Sequence, residues 1–443
     1  MAIKVGMVSL GCSKNLVDSE RMLYKLRNHG YELVTEPGLA DIAVVNTCGF
    51  IQSAKEEAIE TIIELGKLKE EGTLKKIVIT GCLTERYKDE AASQFPEADA
   101  VIGIGDNKDI VDILDKVLAG ERYVHFSPKL EAELEGERII STLPFFTYLK
   151  VAEGCSNCCT YCAIPMIRGK FRSVPMEDVL AEAREMADNG VTELVVIAQD
   201  TSRYGEDLYG TSKLPELLRE LCKIDGLKWI RTLYCYPERI TDELLETIAS
   251  EEKLVKYLEI PIQHCNKDIL SRMNRWGSVE ELEALFAHIR EKIPGVILRT
   301  TLITGFPGET EEQFNELAEF IQRVRFDRLG CFPYSREEGT KSYDFPDQID
   351  ESTAAHRADI IMEQQMLVSA ENNEKLLGKQ FTAVVEGFDR FGECWFGRTT
   401  NDAPDIDGKV FFTSSKPLSV GEYVDITITD TLDYDLIGEV NDQ

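Results

Sequence analysis

The chain has 443 residues, 43% hydrophobic and 29% charged, with 49 Lys and Arg against 79 Asp and Glu for a formal net charge of −30. That length allows two or three domains with a sizeable core, and the acidity opposes bulk binding of phosphate polymers. The twelve cysteines fall singly or in one cluster, unlike a secreted disulfide scaffold, so a reducing cytoplasm fits; no segment has signal-peptide or membrane-spanning character.

From Ile3 to about Gly120, short apolar runs alternate with amphipathic helical patterns, which predicts a parallel α/β sheet. The runs are Val5–Leu10, Ile42–Asn46 and Ile77–Thr80. Asn15 is expected to cap a helix bearing Leu16, Leu23 and Leu26 and ended by Gly30, and Ser53-Ala54-Lys55-Glu56 reads as a capping box ahead of Ile59, Ile62 and Ile63. Each run ends in one cysteine: Cys12, Cys48 and Cys82. Parallel strands present their carboxyl ends on one edge, where open α/β folds bind ligands, so three thiols from three loops can meet there. The plain alternative is three unrelated buried cysteines.

Residues 121–140 are polar, with Glu131, Glu133, Glu135 and Glu137, and read as a linker. Six apolar runs follow, at Thr147–Val151, Leu194–Ala198, Trp229–Tyr234, Tyr257–Pro261, Val296–Ile303 and Arg328–Phe332, with helical patterns between them and a capping box at Thr310–Gln313. Six βα units predict a barrel of TIM kind that is too short to close, with an open side to admit a macromolecular substrate.

Directly after the first of these runs come Cys155, Cys158, Cys159 and Cys162. A cubane of four irons held by three thiolates leaves one iron free for a small molecule, which suits Cys155, Cys159 and Cys162; Cys155, Cys158 and Cys162 offer the reversed spacing. A zinc site built on two Cys-x-x-Cys pairs is the rival reading, but the next cysteine is Cys222, farther than a finger's second pair. Helical residues near Ala354–Asn373 lead into five short strand-like runs that fit a small antiparallel barrel of OB kind. From Glu374 to Gln443 there are 14 acidic and 6 basic residues, a poor balance for binding RNA. The five histidines show no spacing that suggests a site.

Two three-cysteine sites followed by a small terminal barrel resemble the methylthiotransferases of the radical S-adenosylmethionine (SAM) superfamily over nearly the whole chain. Leu10-Gly11-Cys12-Ser13-Lys14-Asn15-Leu16-Val17-Asp18-Ser19-Glu20 is similar to the RimO branch, which modifies the twelfth protein of the small ribosomal subunit. So are Ala163–Gly169, Gln199–Gly205 and Thr304–Thr310; Arg172-Ser173-Val174-Pro175 departs by lacking a basic residue after the serine. The Gly305–Glu309 stretch also reads as a plain strand-to-helix turn.

The resemblance implies an N-terminal methylthiotransferase domain over 3–119, a linker over 120–140, a radical SAM core of partial (β/α)6 form over 141–372 and a TRAM domain over 374–441. It further implies two 4Fe–4S clusters, one on Cys12, Cys48 and Cys82 and one on Cys155, Cys159 and Cys162, the latter chelating SAM and generating a deoxyadenosyl radical that takes hydrogen from the β-carbon of an aspartate. The first cluster would supply sulfur and a second SAM the methyl group. Tyr161, beside the last cluster cysteine, and Gln199, at a strand's carboxyl end, are the candidate SAM contacts, and no side chain is assigned a catalytic role. Implied partners are a basic small-subunit ribosomal protein and an electron-donor protein, with no membrane. A tRNA methylthiotransferase would share both clusters but should carry a basic face on its last barrel. A non-catalytic iron–sulfur redox sensor would not cleave SAM.

Overall fold

The computed structural model describes residues 2–441. In the N-terminal region β1 (Lys4–Ser9), β2 (Glu32–Val34), β3 (Ile42–Thr47), β4 (Lys76–Gly81), β5 (Ala100–Ile102) and β6 (Tyr123–His125) form one parallel sheet in the order β2-β1-β3-β4-β5-β6. The three strands legible in the sequence occupy its centre, where both faces are covered and every residue of β3 is buried. The other three have three residues each, too few for alternation to show. β6 lies inside the stretch read as a linker, and Arg138 there is buried in ion pairs with Glu20 and Glu182.

Two helix starts differ from expectation. Helix α1 (Ser13–His29) begins at Cys12, and Asn15 sits inside its first turn, donating its amide to Leu10 O at 2.8 Å and Asn46 O at 3.1 Å instead of capping. Gly30 ends the helix at φ 101°, the left-handed turn that glycine permits. Helix α2 (Gln52–Glu70) starts before Ser53, with Ile51 at its N-cap and no side-chain cap, so the capping box does not form. Ile51 instead lines a cavity together with Pro333 of the next domain. The box at Thr310 and Gln313 does form, heading helix Glu311–Val324.

The central region contains β7 (Phe146–Lys150), a two-stranded ribbon of β8 (Ala152–Glu153) and β9 (Arg172–Ser173), and then β10 (Glu193–Ile197), β11 (Trp229–Thr232), β12 (Leu254–Glu259), β13 (Ile297–Thr304) and β14 (Arg328–Pro333). Six of these strands make an open parallel sheet in the order β7-β10-β11-β12-β13-β14, a partial barrel with the principal hydrophobic core between strands and outer helices. Each of its edge strands carries a helix. Helix α1 packs on β7, and helix Glu351–Glu374 packs on β14.

The last five strands, β15 (Gln380–Asp389), β16 (Cys394–Thr399), β17 (Val410–Thr413), β18 (Tyr423–Thr431) and β19 (Leu436–Val440), close into a small barrel in which β17 and β19 pair in parallel. Its 400–407 loop plugs the amino end of the partial barrel. There Arg231 donates to Thr400 O at 3.1 Å, Arg328 pairs with Asp402 at 2.6 Å, and Arg299 and Tyr257 reach Asp407 at 2.6 Å each. Arg398 adds ion pairs of 2.8 Å to Glu193 and 2.6 Å to Glu386, all nearly or fully buried.

Burial would raise the Glu193 carboxyl, but Arg398 and Arg231 outweigh it and hold the group below its ordinary value. A depressed carboxylate contributes stability above its unfolded value near 4.5 that is lost as pH falls through the folded one. Arg398→Met leaves that carboxylate short of a partner and should destabilise the protein by about 3–5 kcal/mol at pH 7, with a shrinking deficit below about pH 4. Chemical denaturation at the two pH values checks this; a loss below about 1 kcal/mol at neutral pH would contradict it.

Candidate active site with two cysteine triads at one cavity

The first triad is set by backbone geometry. Cys12 follows β1 through Gly11, Cys48 follows β3, and Cys82 opens helix α3 (Cys82–Tyr87) after β4. Gly11 has φ 85°, and a Cβ there would lie 2.7 Å from the Cys48 sulfur; Gly81, at φ 102°, is pressed against Thr47. Neither position tolerates a side chain. The Asn15 amide ties the β1 and β3 loops together, while Asn46 Nδ2 returns bonds of 2.9 Å to Asn15 O and Ser19 Oγ. Burial raises Cys48 and pushes Cys82 up to about 12, with the neighbouring thiols adding to the shift.

The second triad lies on the loop after β8. Cys155 N donates to Gly169 O at 3.1 Å and Cys162 N to Cys159 O at 3.1 Å, which folds the loop so that the three thiols influence one another. Burial pushes Cys155 up to about 11 and Cys162 higher still. Cys159, 6% exposed, has the Tyr236 hydroxyl at 3.7 Å and Arg275 at 3.9 Å. Cys158 is exposed at φ 52° and lies outside this group. Asn157 Nδ2 donates to Asp200 at 2.8 Å, so the loop that follows β10 anchors the cysteine loop.

Burial disfavours a free thiolate at Cys48, Cys82, Cys155 and Cys162, and a bound cluster of irons would draw their protons off. Among the described residues no group of three His, Cys, Asp or Glu is arranged to hold a single ion; thiolates around a four-iron cluster each take their own iron and need no common centre. The donor set in both places therefore fits a cluster with one iron left open. Cationic side chains complement the first. Arg168 donates to the Cys82 sulfur at 3.3 Å, and the Lys14 ammonium sits 2.9 Å from the Tyr234 ring centre; burial pushes it down to about 8 against the pull of Cys12 and Glu259.

Arg168 also joins the two triads. Its guanidinium pairs with Asp18 at 2.5 Å and with Glu153 at 3.2 Å, Lys150 bonds both of those carboxylates, and Glu153 precedes Cys155 by two residues. Gly169, next in the chain, holds the Cys155 amide. All four charged groups are buried; burial would raise Glu153, but Lys150 and Arg168 hold it well below the carboxylate range. The sequence pointed to none of this network, although Lys150 inside an otherwise apolar strand was a signal. Removing a cation beside a ligating thiolate favours the oxidised, less negative cluster. Arg168→Met should lower the midpoint potential at the first triad by about 60 mV or more, the shift for a tenfold change in a one-electron equilibrium. Redox titration followed by electron paramagnetic resonance measures it; an unchanged potential at this triad would contradict the assignment.

Residues that adjoin both triads in the chain line a cavity of about 310 Å³. Phe50 and Ile51, just past Cys48, form one side, Tyr161 beside Cys162 another, and Thr301, Ile303 and Phe332 at the carboxyl ends of β13 and β14 a third. Tyr161 thus faces this space while its ring packs near Ile269, Met273 and Phe306. Gln199 has its amide on Glu153 at 2.9 Å and its buried carbonyl oxygen without a partner. Gln263 lines the cavity at φ 71°, a region that residues other than glycine seldom occupy and that marks functional positions. The Gly305–Glu309 turn is braced internally: Gly305 N donates to Glu309 at 3.1 Å, and Glu309 holds Arg357 of helix Glu351–Glu374 at 2.6 Å. His264, fully buried, has Glu309 at 3.5 Å.

Three family models match the chain: one described as uncharacterized protein family UPF0004 at residues 4–103, the radical SAM superfamily at 149–321 and the TRAM domain at 377–440. The chain is 48% identical over 436 residues to the ribosomal protein uS12 methylthiotransferase RimO of Thermoanaerobacter sp. (strain X514), covering 98% of this chain and 99% of that protein. It is 47% identical over 440 residues to the protein of the same name from Geobacter sulfurreducens, with 99% and 98% covered. Among solved structures, the radical S-adenosylmethionine methyltransferase TsrM from Kitasatospora setae, with cobalamin and a 4Fe–4S cluster bound, matches at a TM-score of 0.58 and 14% identity over 86% of this chain and 79% of that one, a likeness of fold alone.

Proposed function

Since the chain belongs to the ribosomal protein uS12 methylthiotransferase family, a group of radical SAM transferases, we propose that the cavity lined by residues adjoining its cysteine triads is where a methylthio group is placed on the β-carbon of an aspartate in that ribosomal protein. The observation that carries this reading is the shared cavity: residues adjoining Cys48 and Cys162 line the same 310 Å³ space. The cofactors are SAM and two 4Fe–4S clusters; when bound, the cluster at Cys155, Cys159 and Cys162 supplies the electron that cleaves SAM, and the one at Cys12, Cys48 and Cys82 supplies sulfur.

The chain's own residues position and exclude. A carbon–hydrogen bond beside a carboxylate is too weakly acidic for a side-chain base, which agrees with a cavity whose ionisable Glu337 is already tied to Lys55 and Arg86. Gln263 and Thr301 offer neutral donors from the cavity wall to orient the substrate carboxylate. Gln199, fixed by Glu153, leaves its carbonyl oxygen to accept from the SAM ammonium, and Tyr161 presents its ring to the adenine. Apolar Ile51, Ile303 and Phe332 keep water from reactive carbon.

A basic ribosomal protein complements a chain of net charge −30, steering encounter more than holding the complex. In the terminal barrel, one of six basic side chains, Arg398, is buried against Glu193, which leaves little cation for tRNA phosphates. No helix among the described residues is long and apolar enough to cross a membrane, and we place the enzyme in the cytoplasm with its ribosomal substrate and a protein electron donor. Mass spectrometry after anaerobic incubation with SAM, sulfide, reductant, the ribosomal protein and bulk tRNA tests the reading. A methylthio increment on an aspartate of the protein is expected; an increment on tRNA adenosine, or intact SAM, would overturn it.

A further inference from the structure

A second and larger concavity, of about 700 Å³, lies beside the reactive one. The two share a wall. Along residues 335–338 Ser335 and Glu337 face the reactive cavity while Arg336 and Glu338 face the groove, and at the start of α2 Phe50 and Ile51 face the first while Gln52 and Lys55 face the second. The wall is pinned by buried ion pairs of Glu337 with Lys55 at 3.0 Å and Arg86 at 2.7 Å, and Arg86 also donates to Glu338 O at 2.8 Å and Gly49 O at 2.9 Å. The groove is therefore a fixed feature of the domain junction and continues outward from the reactive site.

Its lining has two kinds of surface. Ile59 and Ile63, one turn apart on α2, are 37% and 47% exposed above buried Leu83 and Phe95. Around them stand the carboxylates of Glu90, Glu97, Glu338 and Glu351, none of which has a cationic partner among the described residues. The two cations present are already engaged, Lys55 with Glu337 and Arg336 stacked 4.5 Å over the Tyr343 ring. Solvent-facing isoleucines beside unneutralised carboxylates match one ligand chemistry, an amphipathic segment carrying Lys or Arg around an apolar anchor. Phosphate polymers are repelled by the same carboxylates.

We infer that this groove is a docking site for a basic, amphipathic segment of the protein substrate that flanks the modified residue, so that binding outside the reactive cavity holds the target loop in it. The inference rests on the proposed substrate class and deepens it. It separates affinity from chemistry: contacts here act before and after the reaction alike and so set KM rather than kcat.

Two variants test it, Ile59→Ser/Ile63→Ser for the apolar strip and Glu90→Lys/Glu351→Lys for the rim, each first matched to wild type in thermal midpoint. Steady-state kinetics are compared on the full-length ribosomal protein and on a short peptide of the target loop alone. Each variant should raise KM for the full-length protein about tenfold, the scale of an interface anchor, with kcat, peptide kinetics and substrate-free SAM cleavage unchanged. The charge variant's effect should shrink with added salt. An unchanged KM on the full-length protein, or equal effects on protein and peptide, would overturn the inference. Failure of wild type to modify the ribosomal protein would instead overturn the substrate reading on which it rests.

Discussion

Cys159→Ala should abolish SAM cleavage, with turnover falling by at least about 10⁴-fold, a small part of the acceleration enzymes provide. The loss follows from geometry. Cys159 is buried beside Cys155 and Cys162, with Tyr236 and Arg275 against its sulfur. Two thiolates do not hold a cluster of this kind, and without it nothing in the second triad delivers an electron. Cys158→Ala provides the control, because that thiol is exposed on a turn at φ 52°. Deoxyadenosine production, followed by liquid chromatography, should vanish in the first variant and persist in the second. The reverse result would assign the ligand to Cys158.

Cys48→Ala should have an equally large effect on product and almost none on SAM cleavage. Cys48 lies under Gly11 in the first triad, and Phe50 and Ile51 carry that loop on to the reactive cavity. On the proposed reading, removing its sulfur empties the sulfur-supplying site while the second triad, on a separate loop, keeps its three thiols. Iron content should fall from about eight to about four per chain, deoxyadenosine should still form, and the ribosomal protein should gain no methylthio group. Loss of SAM cleavage in this variant would contradict the division of labour between the triads.

How much of this was legible in the sequence depended on how local each signal was. Cys12, Cys48 and Cys82 end three apolar runs, and because parallel strands share one carboxyl edge, the pattern alone placed the thiols together. The six-stranded partial barrel was likewise written in six apolar runs. What could not be read was set by contacts between distant segments. Asp18 meets Arg168 across 150 residues, and Arg398 meets Glu193 across 205. Asn15 had the residue type of a cap, but the three converging loops took its amide for their carbonyls. The helices on the two edge strands were not legible either: α1 meets β7 partly through the buried Asp18–Lys150 pair, and helix Glu351–Glu374 packs on β14.

The most direct test of the central claim, that one cavity serves both triads and hydrogen is taken there from an aspartate β-carbon, is isotope transfer. The ribosomal protein is prepared with aspartate deuterated at the β-carbon, incubated anaerobically with the loaded enzyme and SAM, and the deoxyadenosine analysed by mass spectrometry. Deuterium in deoxyadenosine, in step with methylthiolated protein, is the predicted result. Methylthiolated protein accompanied by deuterium-free deoxyadenosine would contradict the account.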